Sequence, residues 1–191
     1  MRDLVYYVAA SLDAFIADPD GDFSAFPQDP ATLAVLFDRY PETCPAHARE
    51  ALGVDAPPRR FDTVVMGYRT YQPALDAGLT GGAYPHLRQV VATHRALPDA
   101  EGLSVISGDV AGAVRQLKEE PGRDIWLCGG ADLAAQLVEL IDEIQIKVNP
   151  VLLGSGIPLL PAGGPRPYEL TAADELPGGV VLQTYRQVRT R

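Results

Sequence analysis

Short apolar runs of strand length alternate along this chain with segments whose apolar residues fall at helical spacing, and this alternation constrains the fold more than any other feature. Leu4 to Ala10 (LVYYVAA) is apolar throughout, as expected of a strand buried on both faces. Comparable runs fall at 62–66, 89–93, 103–107 and 125–128, with another inside 143–153. Between them, Leu33, Leu36, Phe37 and Tyr40 repeat at helical spacing, as do Val110, Val114 and Leu117, and then Leu133, Leu137 and Leu140. The pattern predicts an α/β fold: a mainly parallel central sheet flanked by helices on both faces. The tail reads as a hairpin of 168–176 and 180–188 about Pro177-Gly178-Gly179, adding antiparallel strands at one edge.

Local signals refine this. Asp29-Pro30 reads as an N-cap followed by proline at the first helical position. Asp18 to Asp22 (DPDGD) is a turn, and 46–52 a second short helix. A helix is expected over 69–75, with Pro73 either in its first turn or breaking it. No repeat or linker divides the 191 residues, so one domain over 1–191 is the expectation.

Acidic residues outnumber basic ones by 25 to 16, and no cluster of Lys or Arg supplies the basic face that nucleic acid or an anionic membrane needs. A small anionic ligand is compatible, since a few arginines and helix N-termini make a locally positive site. Cys44 and Cys128 have no metal-ligand spacing, so no metal site is expected, and Cys128 reads as a buried reduced thiol. The opening residues lack a signal-peptide pattern, and the cytoplasm is the expected compartment.

Two strand-to-helix junctions carry the candidate chemistry. One is Met66-Gly67-Tyr68-Arg69-Thr70 and the other Leu127-Cys128-Gly129-Gly130-Ala131-Asp132. Glycine lets backbone approach a ligand, and the helix that follows presents free N–H groups to an anion. Ligands of open α/β sheets bind beyond the carboxyl ends of the strands, where both junctions lie. Each is also what a tight connection looks like. No G-x-G-x-x-G follows the first strand, which argues against a standard dinucleotide-binding domain.

Four segments together resemble the dihydrofolate reductase superfamily, in its branch related to the C-terminal reductase domain of RibD, the bacterial riboflavin-biosynthesis protein. They are ASLDAFIA from Ala10, VMGYRTY from Val65, WLCGG from Trp126 and NPVLLGSGIPL from Asn149. The resemblance implies a dihydrofolate reductase-like fold and an NADPH-dependent reductase. It implies that Gly67, Arg69 and Thr70 meet cofactor phosphates, and that Gly129, Gly130, Ala131, Asp132 and Leu133 form the turn around the pyrophosphate. It places Thr93 and Arg95 near the 2′-phosphate, and Ala10 and Ile16 beside the nicotinamide. A homodimer is also implied, through the region of 149–161.

The chain departs from the family pattern in two places. Where dihydrofolate reductases carry a carboxylate on the first helix, this chain has Thr32 or, nearby, the N-cap Asp29. Where the first loop has glycine, it has Ala14, so the turn geometry is expected to differ slightly. Asp13, just past the first strand, is either the catalytic acid or an Asx-turn residue. His47 and His86 are expected at the surface, and Trp126 in the core. These readings favour hydride transfer from NADPH to a small heteroaromatic or conjugated substrate, pterin-like or ribosylpyrimidine-like. Their rivals are a non-catalytic nucleotide sensor and a dimeric scaffold.

Overall fold

The computed structural model describes residues 1–161 and 164–188. Among these residues ten strands and five α-helices follow one another in the expected alternation. β1 (Leu4–Ala10) leads to the short β2 (Phe15–Ala17), α1 (Pro30–Arg39) and the single turn of α2 (Ala46–Arg49). β3 (Phe61–Gly67), α3 (Tyr68–Asp76), β4 (Arg88–Ala92), β5 (Leu103–Ile106) and α4 (Val110–Glu119) come next. β6 (Asp124–Gly129), α5 (Ala131–Gln136), β7 (Glu143–Val148), β8 (Ile157–Pro158), β9 (Tyr168–Glu175) and β10 (Val181–Gln187) complete the chain.

The main sheet has the order β5-β4-β3-β6-β1-β7-β10-β9. Every pair from β5 to β7 is parallel, while β10 is antiparallel to both β7 and β9. β2 and β8 form a separate antiparallel pair beyond the main sheet. Because side chains alternate across a strand, each central strand feeds two cores. Leu4, Tyr6, Ile125, Leu127 and Ile144 pack under α4 and α5 with Val114, Leu117 and Leu133. Val5, Tyr7, Val64 and Trp126 pack on the other face with Leu36 of α1, Tyr40 just past its end and Tyr71 of α3. Trp126 is a core residue, its indole N–H donating to the Tyr7 carbonyl at 3.0 Å.

Several local expectations are corrected. α1 turns Thr32, Leu36 and Tyr40 inward, whereas Leu33 and Phe37 are half-buried and line a groove with Leu52 and Val54. Asp29 is indeed the cap, accepting from the Thr32 N–H at 2.8 Å. Pro73 stands in the second turn of α3 without ending it. It lies on the exposed side, where water can take the Arg69 carbonyl that proline leaves unbonded. The segment 131–140 is not one helix, since a 3₁₀ turn at Val138–Leu140 follows α5. His86 is half-buried, with Nε2 2.8 Å from the Glu42 carbonyl, and burial lowers its pKa. Cys128 is a half-buried free thiol, and burial pushes its pKa up to about 12. No helix among the described residues is long and apolar enough to cross a membrane.

Candidate functional site at the carboxyl ends of the strands

The glycines at the two junctions bring two turns together. A Cβ placed on Gly129 or Gly130 would lie 3.7 Å from Thr70 Oγ1, and one on Gly67 would lie 3.8 Å from the Gly130 nitrogen. Gly129 has φ +134, a conformation that only glycine adopts readily. The β3–α3 and β6–α5 turns are thus one continuous surface, with the Thr70 hydroxyl between them.

Helix capping separates these two helix starts from those of α1 and α4. α1 and α4 begin with aspartates whose carboxylates accept a first-turn N–H, Asp29 from Thr32 and Asp109 from Gly112. α3 and α5 begin with Gly67 and Gly130 and have no side-chain cap. First-turn N–H groups have no intrahelical acceptor, so these two helices offer them to whatever lies beyond the sheet. Arg69 is exposed at the start of α3, and the Arg95 guanidinium sits 4.3 Å from the centre of the Tyr68 ring. Neither arginine has an ion-pair partner among the described residues. Thr93 Oγ1 accepts from the Arg95 N–H at 3.0 Å, shaping the turn that presents this arginine.

The remaining predicted cofactor positions divide between core and surface. Ala10 ends β1 and is buried; Ile16 is half-buried against the core under α4 and α5. Ala131 and Leu133 are buried, so they offer a ligand backbone rather than side chain. Asp132 is exposed in the first turn of α5.

Asp13 serves a structural role here. Its carboxylate accepts from Ser11 Oγ at 2.6 Å, from the Leu153 N–H at 3.1 Å and from the Gly154 N–H at 2.7 Å. The Ser11 hydroxyl, then the two backbone N–H groups, hold its pKa at about 2, so near neutral pH it has no proton to give. Of the two readings of Asp13, these bonds favour the structural one, a clamp between the loop after β1 and the segment before β8. β2 and β8 pair beside it, and Gly156 passes so close that a Cβ there would lie 2.1 Å from the Ala17 carbonyl oxygen. Ala14 adopts φ +63, so the first loop keeps the left-handed turn that glycine would give.

On the face under α1, Thr32 is buried and its hydroxyl is held between the Asp29 carboxylate and the Pro177 carbonyl. Sequence reasoning missed Lys147, whose ammonium lies 4.2 Å from the centre of the Tyr7 ring. It is half-buried on β7, in register with Ala9 of β1 and Leu182 of β10. The signal was a lone cation in an otherwise apolar end of a strand run, Ile146-Lys147-Val148.

Residues 2–182 match the family model for the RibD C-terminal domain. The chain belongs to that family. A putative riboflavin biosynthesis protein from Shewanella sp. PV-4 shares the fold with TM-score 0.67 and 21% identity, over 99% of this chain and 100% of that one. A diaminohydroxyphosphoribosylaminopyrimidine deaminase/5-amino-6-(5-phosphoribosylamino)uracil reductase from Thermotoga maritima matches with TM-score 0.63 and 15% identity. The alignment covers 98% of this chain and 57% of that protein. The uncharacterized protein YwjB of Bacillus subtilis is 29% identical over 163 residues, 83% of this chain and 82% of its own length. The RibD C-terminal fold is that of dihydrofolate reductase, with the expected C-terminal hairpin.

Proposed function

We propose that this RibD C-terminal domain is an NADPH-dependent reductase acting on a small heteroaromatic or conjugated substrate. The observation that carries the reading is the pair of adjoining, uncapped helix starts at Gly67 and Gly130, flanked by two arginines that no acid among the described residues neutralises. Uncapped N–H groups, a hydroxyl and free guanidinium groups are the donor set a dinucleotide's phosphates require. The residues present fit the group. Thr70 and the backbone of the two turns would hold the pyrophosphate, Arg69 and Arg95 the outer phosphates, and Ala10 and Ile16 the nicotinamide edge. The cofactor supplies a hydride when bound. The chain's own part is to orient the two reactants, exclude water between them and deliver a proton.

Titration followed by Trp126 fluorescence tests the reading. Quenching by NADPH at concentrations where NADH has little effect supports it, and no response to either overturns it. The sensor alternative has one observation in its favour, the hydroxyl of Thr32 where a carboxylate would stand. Oxidation of NADPH in the presence of pterins, ribosylated pyrimidines or quinones separates the two, since a sensor consumes none. A homodimer is part of the proposal, and light scattering at twice the chain mass is the expected result.

A further inference from the structure

We propose that Lys147 is the catalytic proton donor of this site, and that the substrate presents to it the nitrogen or oxygen of a C=N or conjugated C=O group. The proposal rests on the reductase reading and adds to it the residue and the substrate chemistry.

Three observations place a reacting group here. The first is the floor of the sheet under α1. Tyr7, Trp126 and Gln145 are buried, whereas Ala9, Lys147 and Gly130, nearer the carboxyl ends, are only half-buried. The floor is therefore closed below and open above, at the level of the cofactor turn. β6, β1 and β7 are neighbours, so the strand of Lys147 runs about 10 Å from that of Gly129-Gly130. A flat ring lying over Ala9 would bridge the two.

The second observation is the isolation of the ammonium. Among the described residues its Nζ has no ion pair and no hydrogen bond, only the Tyr7 ring face. Besides the Tyr7 ring, the Cys128 thiol of β6 acts on it, and that thiol meets the Tyr84 hydroxyl; the Tyr40 ring packs on Tyr7 behind them. Glu143, on its own strand, is taken up by Arg60 at 2.9 Å and Arg186 at 3.4 Å. Leu182 of β10 is apolar, and beyond it Asp174 of β9 is taken up by Arg39 of α1 at 2.7 Å. A half-buried cation that nothing neutralises costs stability, and a site that retains one has a use for it.

The third is the state of the other acids at this end of the sheet. Hydrogen bonds hold the Asp13 carboxyl at about 2 and lower that of Asp29, so both are ionised. Burial pushes the Cys128 thiol up to about 12, too weak an acid to give its proton readily. Burial brings Lys147 down to about 8, partly opposed by Cys128, so it holds a proton at neutral pH and releases it easily.

The step balances. A hydride adds to the carbon of the C=N or conjugated C=O unit and forms a C–H bond. The π pair moves to the heteroatom, which takes a proton from Lys147 Nζ. NADPH becomes NADP⁺, the substrate gains two hydrogens, and water reprotonates the amine.

Lys118 and Lys147 are the only lysines of the chain, so protein labelled with ¹³C at the lysine ε carbon gives two signals. The Lys147 signal should titrate near pH 8 and shift when a pterin or pyrimidine that the enzyme reduces is added with NADP⁺, leaving Lys118 unmoved. The single-turnover rate should fall roughly tenfold per pH unit above about 8. Lys147→Met should lose about 10²–10⁴ in that rate while NADPH still quenches Trp126. Lys147→Arg, which keeps the charge but not the titration, should be slow without the decline above pH 8. A wild-type rate in folded Lys147→Met, or a Lys147 signal indifferent to a reduced substrate, overturns the proposal and leaves the reductase reading standing. NADPH binding without reduction of any panel member overturns both, as does the absence of NADPH binding.

Discussion

The two ends of the sheet treat charge in opposite ways. At the amino ends of the parallel strands nearly every charge is matched. Arg2 meets Asp62, Lys118 meets Asp142, and Arg60 reaches Asp124 at 3.2 Å and Glu143 at 2.9 Å. Arg186, from the end of β10, joins Asp3 and Glu143, and Arg88 meets Glu120 at 2.6 Å. At the carboxyl ends Arg69, Arg95 and Lys147 have no acid beside them among the described residues, and two helices start without a cap. On a chain of net charge −9, with acids in plenty, cations left unmatched on one rim are where the proposed cofactor would complete the electrostatics. The amino end matches its charges within the chain, and the carboxyl end leaves its cations to the proposed ligand.

The two lysines put that contrast to its sharpest test. Lys118 is buried at the amino end, donating to the Leu140 carbonyl at 2.8 Å and to the Asp142 carboxylate. Lys118→Met removes the cation but leaves Asp142 in place, held by the Leu4 N–H at 2.8 Å. Breaking a buried pair from one side is expected to cost about 3–5 kcal/mol in denaturant unfolding. A loss below about 1 kcal/mol would mean that the amino end is not the electrostatic anchor described here.

Lys147→Met is expected to have the opposite sign. Replacing a half-buried cation without a carboxylate by an apolar chain of similar length should stabilise by on the order of 1–3 kcal/mol at pH 7. The pH dependence follows from the depressed pKa. Below about 8 the amine is charged in both folded and unfolded chains, and folding carries the full cost of its burial. Between about 8 and the ordinary 10.5 the unfolded chain holds a proton the folded one has released, so stability rises with pH. Melting temperatures across that window should climb in the wild type and stay flatter in the variant. Equal slopes would show that Lys147 is solvated like any surface lysine.

Arg95→Gln probes the rim without touching the core, since Arg95 is exposed and rests on the Tyr68 ring. NADPH affinity should weaken about tenfold and NADH affinity hardly change, because only the former carries a phosphate for the guanidinium. An equal loss for both cofactors would move Arg95 from the 2′-phosphate to the shared pyrophosphate.

How much of this the sequence disclosed depends on what each feature is made of. The alternation of strands and helices, the Asp29 cap and the hairpin at Pro177 depend on local periodicity and turn chemistry, and they stand as read. The junctions at Gly67 and Gly130 were visible because backbone approach needs glycine next to a helix start. What one chain of letters cannot show is which side chains satisfy one another across the sheet. The two readings of Asp13 stayed open because its partners, Leu153 and Gly154, lie about 140 residues away. Lys147 was missed because its isolation is the absence of a carboxylate among its neighbours from β1, β6 and β10 in the described residues. Thr32 and Leu36, not Leu33 and Phe37, face inward because the hairpin turn at Pro177 claims the helix start.

The smallest expected effect concerns backbone rather than charge. Ala14 holds φ +63 in the turn between β1 and β2, a conformation that costs an L-residue about 1–2 kcal/mol. Ala14→Gly removes that cost but adds about 0.4–1 kcal/mol of chain entropy to lose on folding. The net gain should be about 0.5–1 kcal/mol, a rise of roughly 1–3 °C in melting temperature. The turn is fixed on both sides of Ala14, by Ser11 Oγ accepting the Phe15 N–H at 3.0 Å and by the Leu159 N–H donating to the Ala14 carbonyl at 2.9 Å. Those bonds, with the Asp13 clamp, impose the left-handed residue, so glycine should raise stability without altering the loop. A gain would add backbone strain to unmatched charge as a second cost borne at the carboxyl end. No gain would leave the two ends of the sheet differing in charge alone.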